Sequence, residues 1–290
     1  MTHISNQERA EVLTQAIPYI QKHSGKIVVI KYGGNAMTNQ SLKEQVMQDI
    51  ILLHEIGVKV VLVHGGGPDI NRFLGKIGKK SEFVNGLRVT DLETAEVVQM
   101  VLAGKVNKDL VKLLQSEGGL AVGLSGIDGN LLSADFIDES LGYVGEIQKV
   151  NIGMVLDVLD KGYIPVISSI GSDKAGNTYN INGDTAAGYI AGALNAERLI
   201  MLTDIKGVLR DKDNEDSLIP LLTVSEAESL KADGTICGGM LPKVDCCIDA
   251  LDKGVKKVII MDGRIPHSIL MELFTNEGAG TMFVKDDAVF

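Results

Sequence analysis

Residues 26–37 read KIVVIKYGGNAM, and residues 58–68 read VKVVLVHGGGP. In each stretch an apolar, β-branched run, Ile27–Ile30 and Val58–Val63, ends in a glycine-rich turn. Short runs of this kind predict strands that are buried on both faces of a parallel sheet. Glycine turns at strand ends expose backbone N–H groups beside the next helix, which favours binding of a phosphate or a carboxylate.

The rest of the chain alternates in the same way. Apolar runs that predict further strands lie at Leu120–Leu124, Ile164–Ile170, Arg198–Leu202 and Val255–Met261, and helical patterns lie at 5–22, 41–56, 91–116, 151–161, 184–194, 240–253 and 267–276. This alternation predicts an α/β fold: a three-layer αβα sandwich with a central, mainly parallel sheet. Residues 126–150 predict short antiparallel hairpins instead. The polar stretch Lys206–Pro220 predicts a solvated loop able to move over a ligand.

Composition narrows the class of protein. The 290 residues include 28 Lys and Arg against 38 Asp and Glu, a net charge of −10, which argues against a nucleic-acid partner. Cys237, Cys246 and Cys247 form no C-x-x-C pair and predict free thiols. No apolar run approaches the ~20 residues of a membrane helix, and the N-terminus lacks a signal-peptide pattern. We therefore expect a cytoplasmic protein with no membrane partner.

Several enzyme classes lack their signatures here. The sequence contains no G-x-x-x-x-G-K-[ST], no H-R-D with D-F-G, and no zinc-type ligand spacing, so no protein-bound metal is expected. No dinucleotide-binding G-x-G-x-x-G follows the first strand, which disfavours a nicotinamide-dependent dehydrogenase.

Three charged residues stand where an anion would bind. Lys31 leads the first glycine turn, and Asp184 precedes a helix, where it caps the helix or orients lysines. Lys243 begins another helix, where a cation opposes the helix dipole. That cost points to a nearby anion, although a solvated lysine is the alternative.

Six stretches carry a resemblance to a known family: KYGGNAM (31–37), VHGGGP (63–68), NGLRVTD (85–91), YNINGDT (179–185), LTDIKGVL (202–209) and GGMLPKV (238–244). With them the chain resembles the amino-acid kinase family over nearly its whole length, and NGLRVTD resembles its N-acetylglutamate-phosphorylating branch in particular. One departure is Gly183, where the family more often has alanine.

The resemblance implies the amino-acid kinase fold with two lobes and an N-terminal helix. Residues 1–25 would form an oligomerisation helix, 26–195 a lobe for N-acetylglutamate binding and dimerisation, and 196–290 an ATP-binding lobe. The implied reaction is ATP-dependent phosphorylation of the γ-carboxylate of N-acetyl-L-glutamate, the second step of arginine biosynthesis, with Mg²⁺ held mainly by the nucleotide.

The resemblance also implies residue roles. Lys31, Lys243 and Asp184 would be catalytic. The acidic substrate would contact Gly66, Gly67, Arg88 and Asn180, and ATP would contact Gly33, Gly34, Thr203, Asp204, Gly207 and Met240.

The two ends of the chain resemble the arginine-inhibited, hexameric branch of the family. That branch has an N-terminal helix through which dimers interlace, and a C-terminal stretch similar to Pro266–Thr281. The resemblance implies a trimer of dimers and an arginine site with Tyr19, His267, Glu277 and Gly280. The alternatives are a helix that docks on its own domain and a solvated Glu277.

Other functions stay open at this point. Carbamate kinase, glutamate 5-kinase, aspartokinase and UMP kinase are the nearest rivals, and NGLRVTD disfavours them. A non-catalytic arginine sensor is a different class of protein. The presence of Lys31, Asp184 and Lys243 together argues against it.

Overall fold

The computed structural model describes residues 5–37 and 39–288 and is built on one eight-stranded sheet. The strands lie in the order β12 (Leu221–Thr223), β14 (Gly280–Val284), β13 (Lys257–Asp262), β11 (Arg198–Thr203), β1 (Ile27–Tyr32), β2 (Lys59–His64), β8 (Ile164–Ser168) and β5 (Ala121–Ser125). Neighbouring strands are parallel except β13 and β14. The mainly parallel central sheet is thus confirmed.

A second, four-stranded sheet has the order β10 (Thr178–Asn180), β9 (Ile170–Ser172), β6 (Leu132–Phe136) and β7 (Gly145–Val150). β6 and β7 pair antiparallel, as expected for residues 126–150. The run Ile164–Ile170, predicted as one strand, is divided between the two sheets because β8 ends at Ser168 and β9 begins at Ile170. A short hairpin joins β3 (Phe83–Val84) to β4 (Leu87–Arg88).

The helices are α1 (Asn6–Gln15), α2 (Ile17–His23), α3 (Gln40–Glu55), α4 (Gly67–Lys76), α5 (Leu92–Gln99), α6 (Asn107–Ser116), α7 (Gly153–Asp160), α8 (Gly183–Ala193), α9 (Val224–Ala232), α10 (Leu241–Asp252) and α11 (Ser268–Phe274). A π-helical stretch, Met100–Val106, joins α5 to α6, and we call it the π segment. Along the described residues, no helix is both long and apolar enough to cross a membrane. The cytoplasmic location stays a prediction.

The N-terminal helix expected over 5–22 is two helices. Ser5 caps α1 and forms a capping box with Glu8, which stabilises its start. Pro18, which has no backbone N–H, predicts a disturbed last turn; the structure has a break after Gln15, with Pro18 in the first turn of α2. Residues 1–4 of the expected segment 1–25 lie outside the described residues.

Two apolar cores lie on opposite faces of the central sheet. Alternate residues of β1 and β2 divide between them, because successive side chains of a strand point to opposite faces. Val29 and Val61 belong to the core that includes residues of α8 and α10. Val28 and Leu62 belong to the core that includes residues of α3, α4 and α6. The three-layer sandwich is confirmed.

The two halves of the sheet come from different parts of the chain. β1, β2, β5 and β8 precede residue 195, whereas β11 to β14 follow it, and β1 pairs with β11 at the junction. The lobe boundary near residue 195 stays a prediction. The sequence patterns missed β12, α9 and β14, which are short elements of the second half.

Substitution of Leu62 tests the packing of the central sheet. Leu62 is 0% exposed, so Leu62→Ala should lower the free energy of unfolding by about 2–5 kcal/mol. Leu120 is 58% exposed, so Leu120→Ala should change it by less than about 0.5 kcal/mol. Denaturant unfolding of both variants measures the difference, and equal losses would contradict the buried position of Leu62.

Candidate active site

The carboxyl ends of the parallel strands converge on one cavity of about 350 Å³. Lys31 on β1 lines it, together with the turns that follow β1 and β2 and the residues that begin α8. Ligands of open α/β sheets bind at this edge, where loops leave neighbouring strands. The candidate residues that line it are Lys31, Gly33, Gly34, Gly66, Gly67, Arg88, Asn180 and Asp184.

Asp184 lies between two lysines. Its carboxylate is 2.9 Å from Lys31 Nζ and 3.5 Å from Lys243 Nζ. Burial acts to raise the pKa of Asp184, but the charges of Lys31 and Lys243 outweigh it and hold the pKa below its ordinary value. Asp184 therefore stays ionised and holds two ammonium groups near the cavity.

Local helix chemistry positions these charges. Asn182 caps α8 by accepting from the backbone N–H groups of Asp184 and Thr185, so Asp184 lies in the first turn. Lys243 lies in the first turn of α10, and its partner is Asp184. The ion pair offsets the unfavourable dipole at that position, so Lys243 is not a freely solvated lysine.

The turn Gly65–Gly67 ends β2 and begins α4. Among the described residues, no acceptor is found for the N–H groups of Gly66 and Gly67, as expected at a helix start. A Cβ atom on Gly66 would lie 2.7 Å from Leu102 Cδ2 and 3.1 Å from Val106 Cγ2. A side chain there would displace Leu102 or Val106, so the packing of the π segment against the turn favours glycine.

Arg88 is only 6% exposed and is held from several sides. Its Nη1 donates to Asn71 Oδ1 (2.7 Å) and to Ser81 Oγ, and its Nη2 donates to Gly67 O (3.3 Å). The guanidinium also stacks over Phe83, 4.7 Å from the ring centre. A fixed, planar fork at the cavity wall suits a carboxylate.

Asn180 lines the same cavity from the end of β10. Its Nδ2 donates to Thr90 Oγ1 (3.3 Å), so Thr90 fixes the amide.

The four expected nucleotide residues after residue 200 lie outside this cavity. Thr203 ends β11, and its hydroxyl accepts from Ile205 N (3.2 Å). Gly207 has φ +150°, and a Cβ there would lie 2.5 Å from Thr281 Oγ1, so its glycine is required by packing. Asp204 is exposed, and Met240 is half-buried just before α10.

The stretch Lys206–Pro220, predicted as a solvated loop, is partly paired through a bridge between Leu209 and Leu218.

Two buried polar residues behind the glycine turn were missed. His64 Nδ1 lies 2.9 Å from Gly65 O, and Asn107 Nδ2 lies 3.1 Å from His64 Nε2. Asn71 and Ser81, which hold Arg88, were also missed. Only His64 carried a signal, since it stands within VHGGGP, and no spacing linked it to Asn107.

Three of the four expected arginine-site residues line a second cavity of about 280 Å³: Tyr19, Glu277 and Gly280. Tyr19 donates its hydroxyl to Asn276 Oδ1 (2.9 Å). His267 lies elsewhere, with its Nδ1 2.6 Å from Asp49 Oδ1. The buried pair Arg198–Glu272 (3.1 Å) lines this second cavity and was not anticipated.

Known proteins give the class of this chain. The pattern of the amino acid kinase family matches residues 26–262, so the chain belongs to that family. Within the family it groups with acetylglutamate kinases. It is 54% identical to the acetylglutamate kinase of Brachyspira hyodysenteriae over 99% of this chain and 100% of that protein. It is 53% identical to that of Clostridioides difficile, over 97% and 99%.

Solved structures agree with the fold. An N-acetylglutamate synthase from Neisseria gonorrhoeae, complexed with coenzyme A and N-acetyl-glutamate, superposes with a TM-score of 0.83 at 29% identity. The match covers 96% of this chain but only 64% of the synthase, less than two thirds of its length. A carbamate kinase from Giardia lamblia bound to AMP-PNP has a TM-score of 0.65 at 21% identity, over 91% of this chain and 100% of that one. At that identity the likeness shows the fold alone.

Asp184→Asn tests the charge arrangement. Removing the carboxylate's charge leaves Lys31 and Lys243 without their common anion, so their ammonium groups should lose alignment. We expect kcat to fall by at least ~100-fold, the scale of losing one electrostatic contact to the transition state. Steady-state kinetics measures this, with Asp245→Asn at an exposed ion pair as the control. A kcat within threefold of the unsubstituted enzyme's, roughly 0.7 kcal/mol in barrier, would contradict the assignment.

Proposed function

We propose that this protein transfers the γ-phosphoryl group of ATP to the γ-carboxylate of N-acetyl-L-glutamate, a step of arginine biosynthesis. The observation that carries the proposal is the pairing of Lys31 and Lys243 with Asp184 beside the open N–H groups of the glycine turn. The two acetylglutamate kinases that are more than 50% identical over nearly the whole chain support the choice of substrate.

The proposed phosphoryl transfer requires no general base. A γ-carboxylate has a pKa near ~4.3 and is already an anionic nucleophile at neutral pH. Its oxygen forms a bond to the γ-phosphorus while the bond to the β–γ bridging oxygen breaks, and ADP leaves. This transfer needs alignment and neutralisation of the charge on the equatorial oxygens.

In this proposal the residues around the cavity supply both the alignment and the neutralisation of charge. Lys31 and Lys243 place positive charge beside the transferred group, and Asp184 fixes the geometry of both lysines. The N–H groups of Gly66 and Gly67 would donate to the acceptor and to phosphate oxygens, strengthened by the start of α4. Arg88 would hold the α-carboxylate through its fork, and Asn180 would bind the substrate's backbone.

ATP would lie toward the second half of the sheet. Thr203, Asp204, Gly207 and Met240 lie at the end of β11 and before α10, the helix that carries Lys243. Among the described residues, no group of three or more His, Cys, Asp or Glu side chains is arranged to hold a metal ion. We therefore propose that Mg²⁺ enters with ATP, bound mainly by its phosphates, where it neutralises negative charge.

The decisive experiment compares acceptors. ADP release from Mg·ATP is measured in parallel with N-acetyl-L-glutamate, glutamate, aspartate, carbamate and UMP. The proposal expects turnover with N-acetyl-L-glutamate alone. Turnover with another acceptor would change the substrate but keep the phosphate chemistry, and no turnover with any would favour a sensor.

The role of Arg88 makes a separate prediction. Arg88→Ala should raise KM for N-acetyl-L-glutamate by roughly 10- to 100-fold, because it removes charge-assisted hydrogen bonds worth about 1.5–3 kcal/mol. KM for ATP should change far less. Arg72→Ala is the matched control, since Arg72 is half-exposed on α4 and pairs with Asp69. Equal effects of Arg88→Ala on both KM values would refute this role.

We also propose feedback inhibition by arginine at the second cavity. That cavity carries Glu272 and Glu277 as well as Lys22, Arg198 and Lys257. Charges of both signs suit an amino acid with a cationic side chain. Tyr19 and Gly280 line the same space, whereas the role given to His267 would act through its contact with Asp49.

A hexamer through α1 belongs to the same proposal. No residue of α1 is buried, and Val12 and Leu13 lie exposed beside apolar residues of α3 and α11. An apolar surface of this kind is commonly a protein–protein contact. A second α1 from another dimer would cover it and so build a trimer of dimers.

Deletion of residues 1–24 tests both parts of the regulation. The truncated enzyme should be a dimer, measured by light scattering, and arginine should no longer inhibit it at concentrations that inhibit the full chain. Tyr19→Phe, which removes the bond to Asn276, should weaken inhibition without changing kcat, with the exposed Tyr163→Phe as its control. A truncated enzyme that stays hexameric would refute the assembly.

A further inference from the structure

His64 lies at the carboxyl end of β2, directly before the glycine turn, and is 0% exposed. The proposed phosphoryl transfer gives His64 no role. Its ring does not reach the cavity, which is lined by the neighbouring Gly65, Gly66 and Gly67. Its two ring nitrogens nevertheless both have partners, one in the turn and one on α6.

The partners define the tautomer. Nδ1 faces Gly65 O at 2.9 Å, and a carbonyl can only accept, so Nδ1 carries the proton. Nε2 lies 3.1 Å from Asn107 Nδ2, which shares its two N–H groups among three acceptors, Nε2 and two backbone carbonyls. The orientation of the Asn107 amide follows from its other contacts: Nδ2 also faces two backbone carbonyls, and Oδ1 accepts from Lys108 Nζ at 3.1 Å. Burial lowers the pKa of His64 to about 4, which keeps the ring neutral.

The hydrogen bond to Gly65 O also fixes the direction of the Gly66 N–H, which belongs to the same peptide group. A trans peptide is planar, so the C=O of Gly65 and the N–H of Gly66 point in opposite directions. Anchoring the carbonyl toward the imidazole therefore directs the Gly66 N–H away from the imidazole. Gly66 lines the cavity, and among the described residues its N–H has no acceptor. Without the anchor, a peptide between two glycines has more conformational freedom than one between other residues.

The same turn is restrained by packing. Leu102 and Val106 of the π segment pack against Gly66, and Asn107 follows that segment directly. π-helical insertions are frequent at functional sites. Here the insertion brings two apolar side chains and the amide that holds His64 to the back of one glycine turn.

We propose that His64, oriented by Asn107, is a positioning residue that aims the Gly66 N–H at the transferred phosphoryl group. This inference rests on the proposed phosphoryl transfer. It adds to that transfer a buried pair of side chains, Asn107 and His64, which connects α6 to the turn and which we call the relay. Preorganised N–H donors act most strongly on charge that develops in the transition state. Loss of the relay should therefore reduce kcat more than it changes either KM.

The variants His64→Leu and His64→Asn distinguish the loss of the hydrogen-bond donor from a change in side-chain volume. Leucine fills the space without a donor, and Asn107 keeps its two carbonyl partners, so the fold should persist. Asparagine places an amide N–H where Nδ1 stood. We expect His64→Leu to lower kcat by roughly 10- to 100-fold with both KM values within about threefold, and His64→Asn to recover most of kcat.

A binding measurement gives a readout apart from turnover. Calorimetry compares Mg·ADP alone with Mg·ADP plus aluminium fluoride, a mimic of the phosphoryl group in transfer. His64→Leu should weaken the aluminium fluoride complex by a factor similar to the loss in kcat, while Mg·ADP binding stays unchanged. His54→Leu on α3 is the matched control and should behave as the unsubstituted protein in both assays.

Distinct results overturn the two proposals. If the unsubstituted enzyme does not use N-acetyl-L-glutamate, the proposed substrate fails, while the aluminium fluoride comparison still tests His64. If His64→Leu and His64→Asn lose equal activity, or aluminium fluoride binds His64→Leu as tightly as the unsubstituted protein, the relay is refuted.

Discussion

The contact of one carboxylate with two lysines is the interaction on which the site depends. Lys31 lies near the end of β1, and Asp184 and Lys243 lie in the first turns of α8 and α10, so the two ion pairs join three elements from both halves of the chain. Burial alone would favour a protonated Asp184, and the lysines reverse that preference. The lysines thus keep Asp184 ionised, and Asp184 holds both ammonium groups near the cavity. Losing one partner leaves buried charge uncompensated.

The glycine turns meet a different constraint, which is space. Parallel strands bring the turns after β1 and β2 side by side, and a ligand must approach the backbone closely to reach its N–H groups. The π segment packs against Gly66, so a side chain there would have to displace Leu102 or Val106. Gly183 differs: a Cβ there would lie 3.5 Å from Lys31 Cε, an ordinary contact. An alanine at position 183 would therefore leave Lys31 and Asp184 in place.

Sequence patterns predicted the layers and the strand ends well because both follow from local rules. Alternating apolar runs define the sheet, and Lys31, Asp184 and Lys243 each stand at the end of a strand or the start of a helix. The patterns failed where tertiary contacts decide. β12, with three residues, is too short to show a period. Pro18 predicts a disturbed last turn, whereas the helix divides earlier, after Gln15. The amide of Asn107 reaches His64 across 43 residues, and no spacing rule covers such a contact.

Net charge and site charge have opposite signs in this molecule. The chain carries −10 overall, yet the cavity wall holds Lys31 and Arg88 with Lys243 close by, against the single carboxylate of Asp184. The net charge of the chain does not attract anions at long range, so their binding depends on the contacts within a few ångströms. Such contacts are effective only when the donors are already fixed. The stacking of Arg88 on Phe83 and the capping of α8 by Asn182 are therefore as much a part of anion recognition as the charges themselves.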